Sequence, residues 1–519
     1  MSASPARLGK GQSLLPWLIG AGLLLATILS RAPSFVLSVV DWDESLYFIM
    51  AQRWRAGYLP YTVVWDNKPI GIYAIFAAFQ GIFGGGIFSM RLAGMVAVTV
   101  TALLAWRIAR HFLRDHPAPV AEIVGGIAGL LLIVSTIPDD GIAANTEIFM
   151  EAFTCAGMLW ALKPEGPIGA GRAIGIGLCL GAAFIVKYVA VFDMFAVYCA
   201  MLILPGRLRT GIRGVADAIR LGLLFSVGAL APLLATLALY AAHGALRAMM
   251  TASILSNLRR VAVPVSGDSF LHAYTQQAAL FPGLFLSLLW LLAMLVRMPR
   301  RALIMIAWVV TSSIGVASGG LYFSHYFLQL LPVLCIATAL MLAGLWQIAP
   351  WLLRVVLALV FVLSLVPMAV ECSQDLGRMV AVMSRPPQGF GMLRDTPAQV
   401  AHDIRVALAQ SPEAEVYVFD GEPILYALLC APLPTKFVFP SFLLSKLLAH
   451  TVGIDPMMEL QRILAEKPLF IVRRTNPDDA DAATRNLDVY AAMNAALTAD
   501  YMVWRRYDTM VVYRRRQAD

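Results

Sequence analysis

The chain has 519 residues, of which 59% are apolar and only 14% are charged. Soluble domains contain about 25% charged residues, so this composition excludes an ordinary soluble protein and indicates a lipid environment. The net charge of +8 does not indicate a nucleic-acid partner, because the basic residues fall in short clusters between apolar runs, which is typical of membrane topology.

Apolar runs separated by charged loops predict about eleven transmembrane helices. The basic clusters fall in alternate loops, beginning with Arg7 and Lys10. The positive-inside rule therefore predicts a cytoplasmic N-terminus and, with an odd number of spans, a C-terminus on the outer side. The predicted spans are near 13–31, 88–108, 122–138, 148–162, 173–187, 189–204, 219–241, 279–296, 302–318, 326–345 and 350–369.

The composition becomes richer in charge from Glu371 onward. We therefore predict a polytopic α-helical membrane domain over 1–370, followed by a periplasmic α/β domain over 371–519. Asp420-Gly421-Glu422-Pro423 is interpreted as a turn in a domain that docks the acceptor or acts as a scaffold. Cys372 and Cys430 are the two cysteines that could form a disulfide. The predicted strands are Glu415–Asp420, Lys436–Phe439, Leu469–Arg473, Met502–Arg506 and Met510–Tyr513, and the predicted helices are Met458–Lys467 and Leu487–Leu497.

The first outer loop, residues 32–87, is too long to be a simple turn, and loops of this length are usually functional. It opens with Asp41-Trp42-Asp43-Glu44. The spacing of apolar residues in 45–56 predicts a helix lying in the membrane interface. After Asp66-Asn67-Lys68-Pro69, the apolar stretch 70–83 is too short to span, so we expect it to lie along or dip into the outer leaflet.

The order of these motifs resembles the protein O-mannosyltransferases and the lipid A aminoarabinose transferase, a glycosyltransferase family 39-like group with the multi-span C-type fold. The resemblance covers about residues 10–350. Lys68-Pro69-Ile70 departs from the common Lys-Pro-Pro, and about eleven spans with an outer domain fit a bacterial subgroup. The motifs that carry the resemblance are Asp43-Glu44, Gly57-Tyr58-Leu59-Pro60-Tyr61, Lys68-Pro69, Ala144-Asn145-Thr146-Glu147, Lys187-Tyr188 and 325–332, which begins His325-Tyr326.

The resemblance implies transfer of a sugar from a polyprenyl-phosphate donor. Asp43 would be the catalytic base that deprotonates the acceptor, and Glu44 would support it or bind sugar. We expect partial desolvation at the membrane surface to raise the pKa of Asp43 and strengthen it as a base. The alternative is that both acids are solvated loop charges, or that Asp43 caps the following helix.

Lys68 and Lys187 are the candidate cations for the donor phosphate, and Arg91 and His325 are expected to join them. Both lysines could instead extend to lipid headgroups. His325 could also simply cap or anchor its helix.

Glu147, Asn145, Tyr61 and Tyr326 are the candidates for binding substrate. Glu147 could bind sugar hydroxyls, orient the base or ligate a metal, or could be a helix-terminal acid paired with a nearby cation. A divalent metal held by Asp43 and Glu147 is left open, and no other cofactor is expected.

The expected partners are the polyprenyl-phosphate sugar donor, membrane lipids and an acceptor that is lipid A, a surface glycan or a protein. The expected location is the bacterial inner membrane, with chemistry on the periplasmic face. A transporter or glycolipid flippase is the main alternative, although such proteins usually show internal repeats and broken helices that this sequence lacks. A sensor or assembly scaffold is a third interpretation.

Overall fold

A computed structural model describes residues 13–138, 141–163, 167–204, 208–261, 267–409, 415–476 and 484–516. The N-terminal basic residues Arg7 and Lys10, used to predict topology, lie outside these described residues. The chain up to residue 383 is mainly helical. Its helices are α1 (Leu15–Arg31), α2 (Trp42–Arg55), α3 (Ile70–Phe83), α4 (Ile87–Phe112), α5 (Ala118–Ser135), α6 (Thr146–Leu162), α7 (Ala170–Val186), α8 (Ala190–Ile203), α9 (Ile212–Ala242), α10 (Leu246–Met249), α11 (Ser256–Val261), α12 (Gly267–Leu280), α13 (Pro282–Arg297), α14 (Pro299–Ser318), α15 (Leu331–Ile348), α16 (Trp351–Ser364) and α17 (Val366–Met383).

Seven helical stretches of the described residues are long and apolar enough to cross a membrane. An eighth is added if α12 and α13, which meet at 104°, form one broken span. The predicted class, a multi-pass helical membrane protein with a small C-terminal sheet, is confirmed. The number of eleven spans stays a prediction, because α7 and α8 occupy two predicted positions with only 17 and 14 residues.

Glycines allow α7 and α9 to pack with their backbones in contact. A Cβ atom on Gly177 would lie 2.0 Å from the carbonyl oxygen of Phe225, and one on Gly228 would lie 2.0 Å from that of Ile174. Small residues permit this close approach in membrane helices, where van der Waals packing replaces the hydrophobic effect. The packing fixes α7, whose C-terminal end carries Lys187.

The C-terminal part of the chain, from residue 384 onward, contains a four-stranded sheet with the order β1-β2-β4-β3. Strands β1 and β2 are parallel, with Val418 opposite Val472, and the other two pairs are antiparallel. The strands are β1 (Val416–Asp420), β2 (Phe470–Arg474), β3 (Tyr501–Arg506) and β4 (Met510–Arg515); the helices are α18 (Thr396–Leu408), α19 (Ile424–Leu429), α20 (Ser441–Leu444), α21 (Lys446–Val452), α22 (Pro456–Ala465) and α23 (Leu487–Asp500).

The two faces of this sheet belong to different cores. Val416 and Val418 share one hydrophobic cluster with residues of α2, whereas Tyr417 and Phe419 pack in a separate cluster with α22 and α23. Successive side chains of a strand point to opposite faces, so β1 is buried on both sides. The core of the first loop therefore continues into the C-terminal part. The predicted domain boundary at residue 370 stays a prediction.

Three expectations are corrected by the structure. Helix α2 does not lie in the interface with one face exposed: its residues Leu46–Ala51 are all buried, since α3 and α19 pack against it. The segment 436–439 is not a strand and lies outside the sheet; its Lys436 carbonyl accepts the N–H of Trp65 in the first loop at 2.8 Å. Cys372 and Cys430 are both unpaired thiols.

Candidate active site

The carboxylate of Asp43 lies in the first turn of α2 beside Lys68. Asp41, and not Asp43, caps this helix, because its side chain accepts the N–H of Asp43 at 3.2 Å. Oδ2 of Asp43 accepts hydrogen bonds from Lys68 Nζ at 3.0 Å and from Tyr47 OH at 3.1 Å. The Asp43 side chain is 20% exposed and that of Lys68 is 15% exposed, so the pair is mostly buried but still reaches solvent.

Two tyrosines hold the backbone of Lys68. Tyr61 OH donates to the Lys68 carbonyl at 2.7 Å, and Tyr73 OH lies 3.2 Å from the same oxygen and 2.7 Å from Asp66 Oδ2. Tyr61 itself has φ of 70°, a conformation that side chains rarely adopt and that aims its ring inward. A substrate-binding role for Tyr61 stays a prediction; in the structure its hydroxyl donates to the loop that carries the lysine.

Close packing at Gly71 brings Lys68 to the end of α7. A Cβ atom on Gly71 would lie 2.5 Å from the carbonyl oxygen of Ile185, so only glycine allows the first turn of α3 to lie this near α7. As a result Lys68 and Lys187, which are 119 positions apart in the chain, line one cavity of about 250 Å³. The cavity is bounded by the loop before α3, the start of α8, α11 and the end of α14.

Lys187 and Tyr326 face each other in this cavity. Lys187 forms an ion pair with Glu147, and its Nζ lies 4.1 Å from the centre of the Tyr326 ring. Tyr326 OH accepts a hydrogen bond of 2.7 Å from Arg260. Three cationic side chains, Lys68, Lys187 and Arg260, therefore line one small pocket, an arrangement that suits a phosphate.

Arg260 was not identified from the sequence. It lies on the short helix α11, in a long loop where no family motif stood out. The signal available was the adjacent pair Arg259-Arg260 in a loop predicted to be outside, where the positive-inside rule expects few basic residues.

Glu44 and Arg91 form a fully buried pair outside the cavity. Arg91 Nη1 donates to Glu44 Oε2 at 2.7 Å, and their side chains are 1% and 0% exposed. Glu44 also accepts the backbone N–H groups of Val40 at 2.6 Å and Ala144 at 2.7 Å. The structure thus does not bring Arg91 to the lysines. It places Glu44 at the junction of three segments, where it fixes the loop that carries Asp43.

Asp41, Asp43 and His325 form the cluster that could hold a metal ion. Their ligand atoms lie within 4.8 Å of one another, and His325 Nδ1 is 3.9 Å from Asp41 Oδ2. Asn145 Nδ2 also donates to Asp41 Oδ2 at 2.8 Å. Carboxylate and imidazole ligands suit divalent cations. His325 thus lies by the carboxylates rather than in the cationic cavity, and Glu147, the second suggested metal ligand, is paired with Lys187.

The pKa of Asp43 differs from our expectation. Burial alone raises it, but the charges of Lys68 and His325, together with hydrogen bonds from Lys68 and Tyr47, outweigh burial and lower the pKa to about 2. Burial does raise the pKa of the neighbouring Asp66, against the charge of Lys68. With Lys68 bound to it, Asp43 is a charged but weak base.

Comparisons with known proteins agree with this architecture. Residues 67–225 match the family model described as dolichyl-phosphate-mannose-protein mannosyltransferase, and no curated protein matches the chain by sequence. The fold is similar to that of ArnT from Cupriavidus metallidurans in the apo state, with a TM-score of 0.58 and 16% identity over 96% of this chain and 97% of that one.

It is also similar to the oligosaccharyltransferase AglB from Archaeoglobus fulgidus, solved with an inhibitory peptide and a dolichol-phosphate. The TM-score is 0.50, with 11% identity over 97% of this chain and 74% of that one. The resemblance and the fold predicted from the sequence are confirmed.

Proposed function

We propose that this chain transfers a sugar from a polyprenyl-phosphate donor to an acceptor on the periplasmic face. The proposal is supported by its C-type glycosyltransferase fold and by its similarity to protein mannosyltransferases and ArnT. The observation that carries the proposal is the position of Asp43, 3.0 Å from Lys68, beside a cavity lined by three cations. A base next to an anion-binding pocket is the arrangement that this reaction requires.

In the proposed reaction, Asp43 accepts the proton of the acceptor hydroxyl as the acceptor oxygen bonds to the anomeric carbon of the sugar. The bond between that carbon and the phosphate oxygen breaks, and polyprenyl phosphate leaves with the electron pair. Lys68, Lys187 and Arg260 stabilise the charge that grows on the phosphate. Because these groups are fixed before the reaction, little reorganisation is needed in the transition state.

The cavity also offers a place for the isoprenoid chain. Its lining includes Val191 and Phe192 at the start of α8 and Gly315 on α14, and Val191 is 46% exposed on the lipid-facing surface. The polyprenyl chain would leave the cavity between these two helices and enter the membrane. Lipid A, a surface glycan and a protein stay as possible acceptors.

The first test is Asp43→Asn, assayed in detergent with a labelled polyprenyl-phosphate sugar and a set of acceptors. Loss of the base is expected to reduce transfer by about 10²–10⁴-fold. Asp217→Asn, which alters an acid of α9 paired with the exposed Arg209, is the matched control and is expected to leave transfer unchanged. Normal product from the Asp43 variant would remove its role as the base. Transfer in detergent also distinguishes an enzyme from a transporter, which needs a sealed membrane.

The acceptor and the orientation need two further experiments. Glycolipids, surface glycans and glycoproteins of a deletion strain, compared with those of its parent, would identify the acceptor class by the sugar that is lost. Cys430 is exposed in the C-terminal part, so a membrane-impermeant thiol reagent is expected to label it in intact spheroplasts. Labelling only after lysis would place this part in the cytoplasm and contradict the proposed orientation.

A further inference from the structure

Trp42 stands between the two carboxylate residues of the site, and its indole contacts the C-terminal part of the chain. The guanidinium of Arg474 lies 4.3 Å from the centre of the indole, and the ring of Phe439 meets it edge-on at 5.8 Å. The Trp42 side chain also favours the charged form of the Glu422 carboxyl, whose pKa it lowers.

The groups that hold the indole come from one edge of the sheet. Strands β1 and β2 are parallel, so their C-terminal ends, Asp420 and Arg474, lie side by side. Arg474 Nε lies 3.2 Å from Asp420 Oδ1, and Tyr490 OH donates to Asp420 Oδ2 at 3.0 Å. Glu422 follows two residues after β1. The indole is therefore held by side chains that are themselves anchored to the sheet.

Other contacts tie the first loop to the C-terminal part, but farther from the carboxylates. Asp395 Oδ2 accepts both the N–H and the hydroxyl of Ser38, at 2.7 and 2.6 Å, and the Trp65 N–H donates to the Lys436 carbonyl. These bonds support the loop at two distant points. Trp42 is the contact directly next to the groups assigned to chemistry.

We propose that Glu422 and Arg474 are positioning residues for glycosyl transfer: by holding the indole of Trp42, they fix the carboxylates of Asp41 and Asp43 on either side of it. The inference rests on the proposed function, because it assumes that Asp43 is the base. A misplacement of about 1 Å at a reacting group can cost about 10²-fold in rate. The C-terminal part thus contributes directly to the geometry of a site whose reacting groups lie outside it.

The main test uses Trp42→Phe, which keeps an aromatic face for Arg474 but removes the N–H, and Glu422→Ala. Both are expected to lower kcat about tenfold or more. KM for the polyprenyl-phosphate sugar should change less than about twofold, since Lys68, Lys187 and Arg260 bind phosphate without contacting the sheet edge. Wild-type kcat in both variants, or an increase in KM alone, would overturn the inference.

A second test uses Glu422→Gln, which keeps an oxygen to accept the indole N–H. Burial raises the pKa of Glu422 to about 7; the charge of Arg474 opposes this shift, and the charges of Asp395 and Asp41 add to it. The ionised carboxylate is the stronger hydrogen-bond acceptor, so kcat of the native enzyme should increase relative to that of the variant as the pH rises. The ratio of native to variant kcat is expected to rise from about one at pH 6 to about fivefold at pH 8. A constant ratio would indicate a merely structural role.

Asp403→Asn is the matched control, because Asp403 is an acid of the same part whose carboxylate accepts hydrogen bonds from Arg505 and Tyr507. It should leave kcat and its pH dependence unchanged. Thermal unfolding of each variant checks that it is folded, and Glu422→Gln keeps the inference testable if the alanine variant unfolds. A native protein that transfers no sugar would overturn the proposed function, and this inference with it. Transfer that is insensitive to all three substitutions would overturn the positioning role alone.

Discussion

Replacing Glu44 with glutamine would leave a buried positive charge without its partner. The Glu44 carboxylate accepts from Arg91 at 2.7 Å and from two backbone N–H groups, of Val40 and Ala144, and neither charged side chain is more than 1% exposed. Removing one member of such a buried pair typically costs about 3–5 kcal/mol. We therefore expect Glu44→Gln to lower the free energy of unfolding by about this amount.

Unfolding of purified protein in detergent, followed by circular dichroism against temperature or denaturant, measures this cost. The double variant Glu44→Gln with Arg91→Met removes the unpaired charge as well, so it is expected to recover part of the stability. Asp217→Asn, which alters an ion pair whose Arg209 side chain is 63% exposed, should leave the unfolding curve unchanged.

The result also decides between two roles for Glu44. If the glutamine variant unfolds like the native protein but transfers no sugar, Glu44 acts in catalysis, as the family resemblance implied, and the structural interpretation is refuted. If stability and activity fall together and the double variant restores part of both, its role is to hold the loop that carries the base.

Three further predictions concern the cavity and its neighbours. Gly71→Val is expected to push α3 from α7 and weaken polyprenyl-phosphate binding measured by titration, whereas Gly81→Val on the same helix, with open space at its Cβ, should have no effect. Lys68→Gln removes the largest contribution that lowers the pKa of Asp43, so the acid limb of the pH profile of kcat/KM should move to higher pH. An unchanged profile would show that Asp43 is not the group that titrates in that limb. If the carboxylate cluster holds a metal, chelation should abolish transfer, Mg²⁺ or Mn²⁺ should restore it, and Asp41→Asn should raise the metal concentration required about tenfold or more.

Hydropathy and the order of motifs were sufficient to predict the membrane class, the C-type fold and most helix positions. They also selected Asp43 and Lys68, which lie 25 positions apart and are brought into contact by the turn between α2 and α3. The spacing of motifs carries this information because the loop 56–69 joins two helices that pack together, which limits where its residues can lie.

Partners that are distant in the chain could not be predicted in the same way. Arg91 and His325 were assigned to the phosphate because they are cations near the expected face, but a charge alone does not determine which acid it meets. Apolar spacing in α2 marked one face as buried without indicating that the C-terminal part covers the other. Arg260 was missed for a related reason. It lies on the short helix α11, where no periodic spacing of apolar residues indicates which way its side chain points.

The ion pair of Asp43 and Lys68 links the basicity of the carboxylate to the charge of the lysine. While Lys68 is bound to Asp43, the pKa of the carboxylate is about 2, and a base this weak accepts a hydroxyl proton poorly. The surroundings therefore favour its charged form relative to an ordinary aspartate, for which the pKa is 3.8. A donor phosphate in the cavity competes for the same ammonium group. A phosphate that shares the charge of Lys68 leaves the effect of burial on Asp43 less opposed, so we expect the pKa of Asp43 to rise and the base to become stronger when the donor is bound.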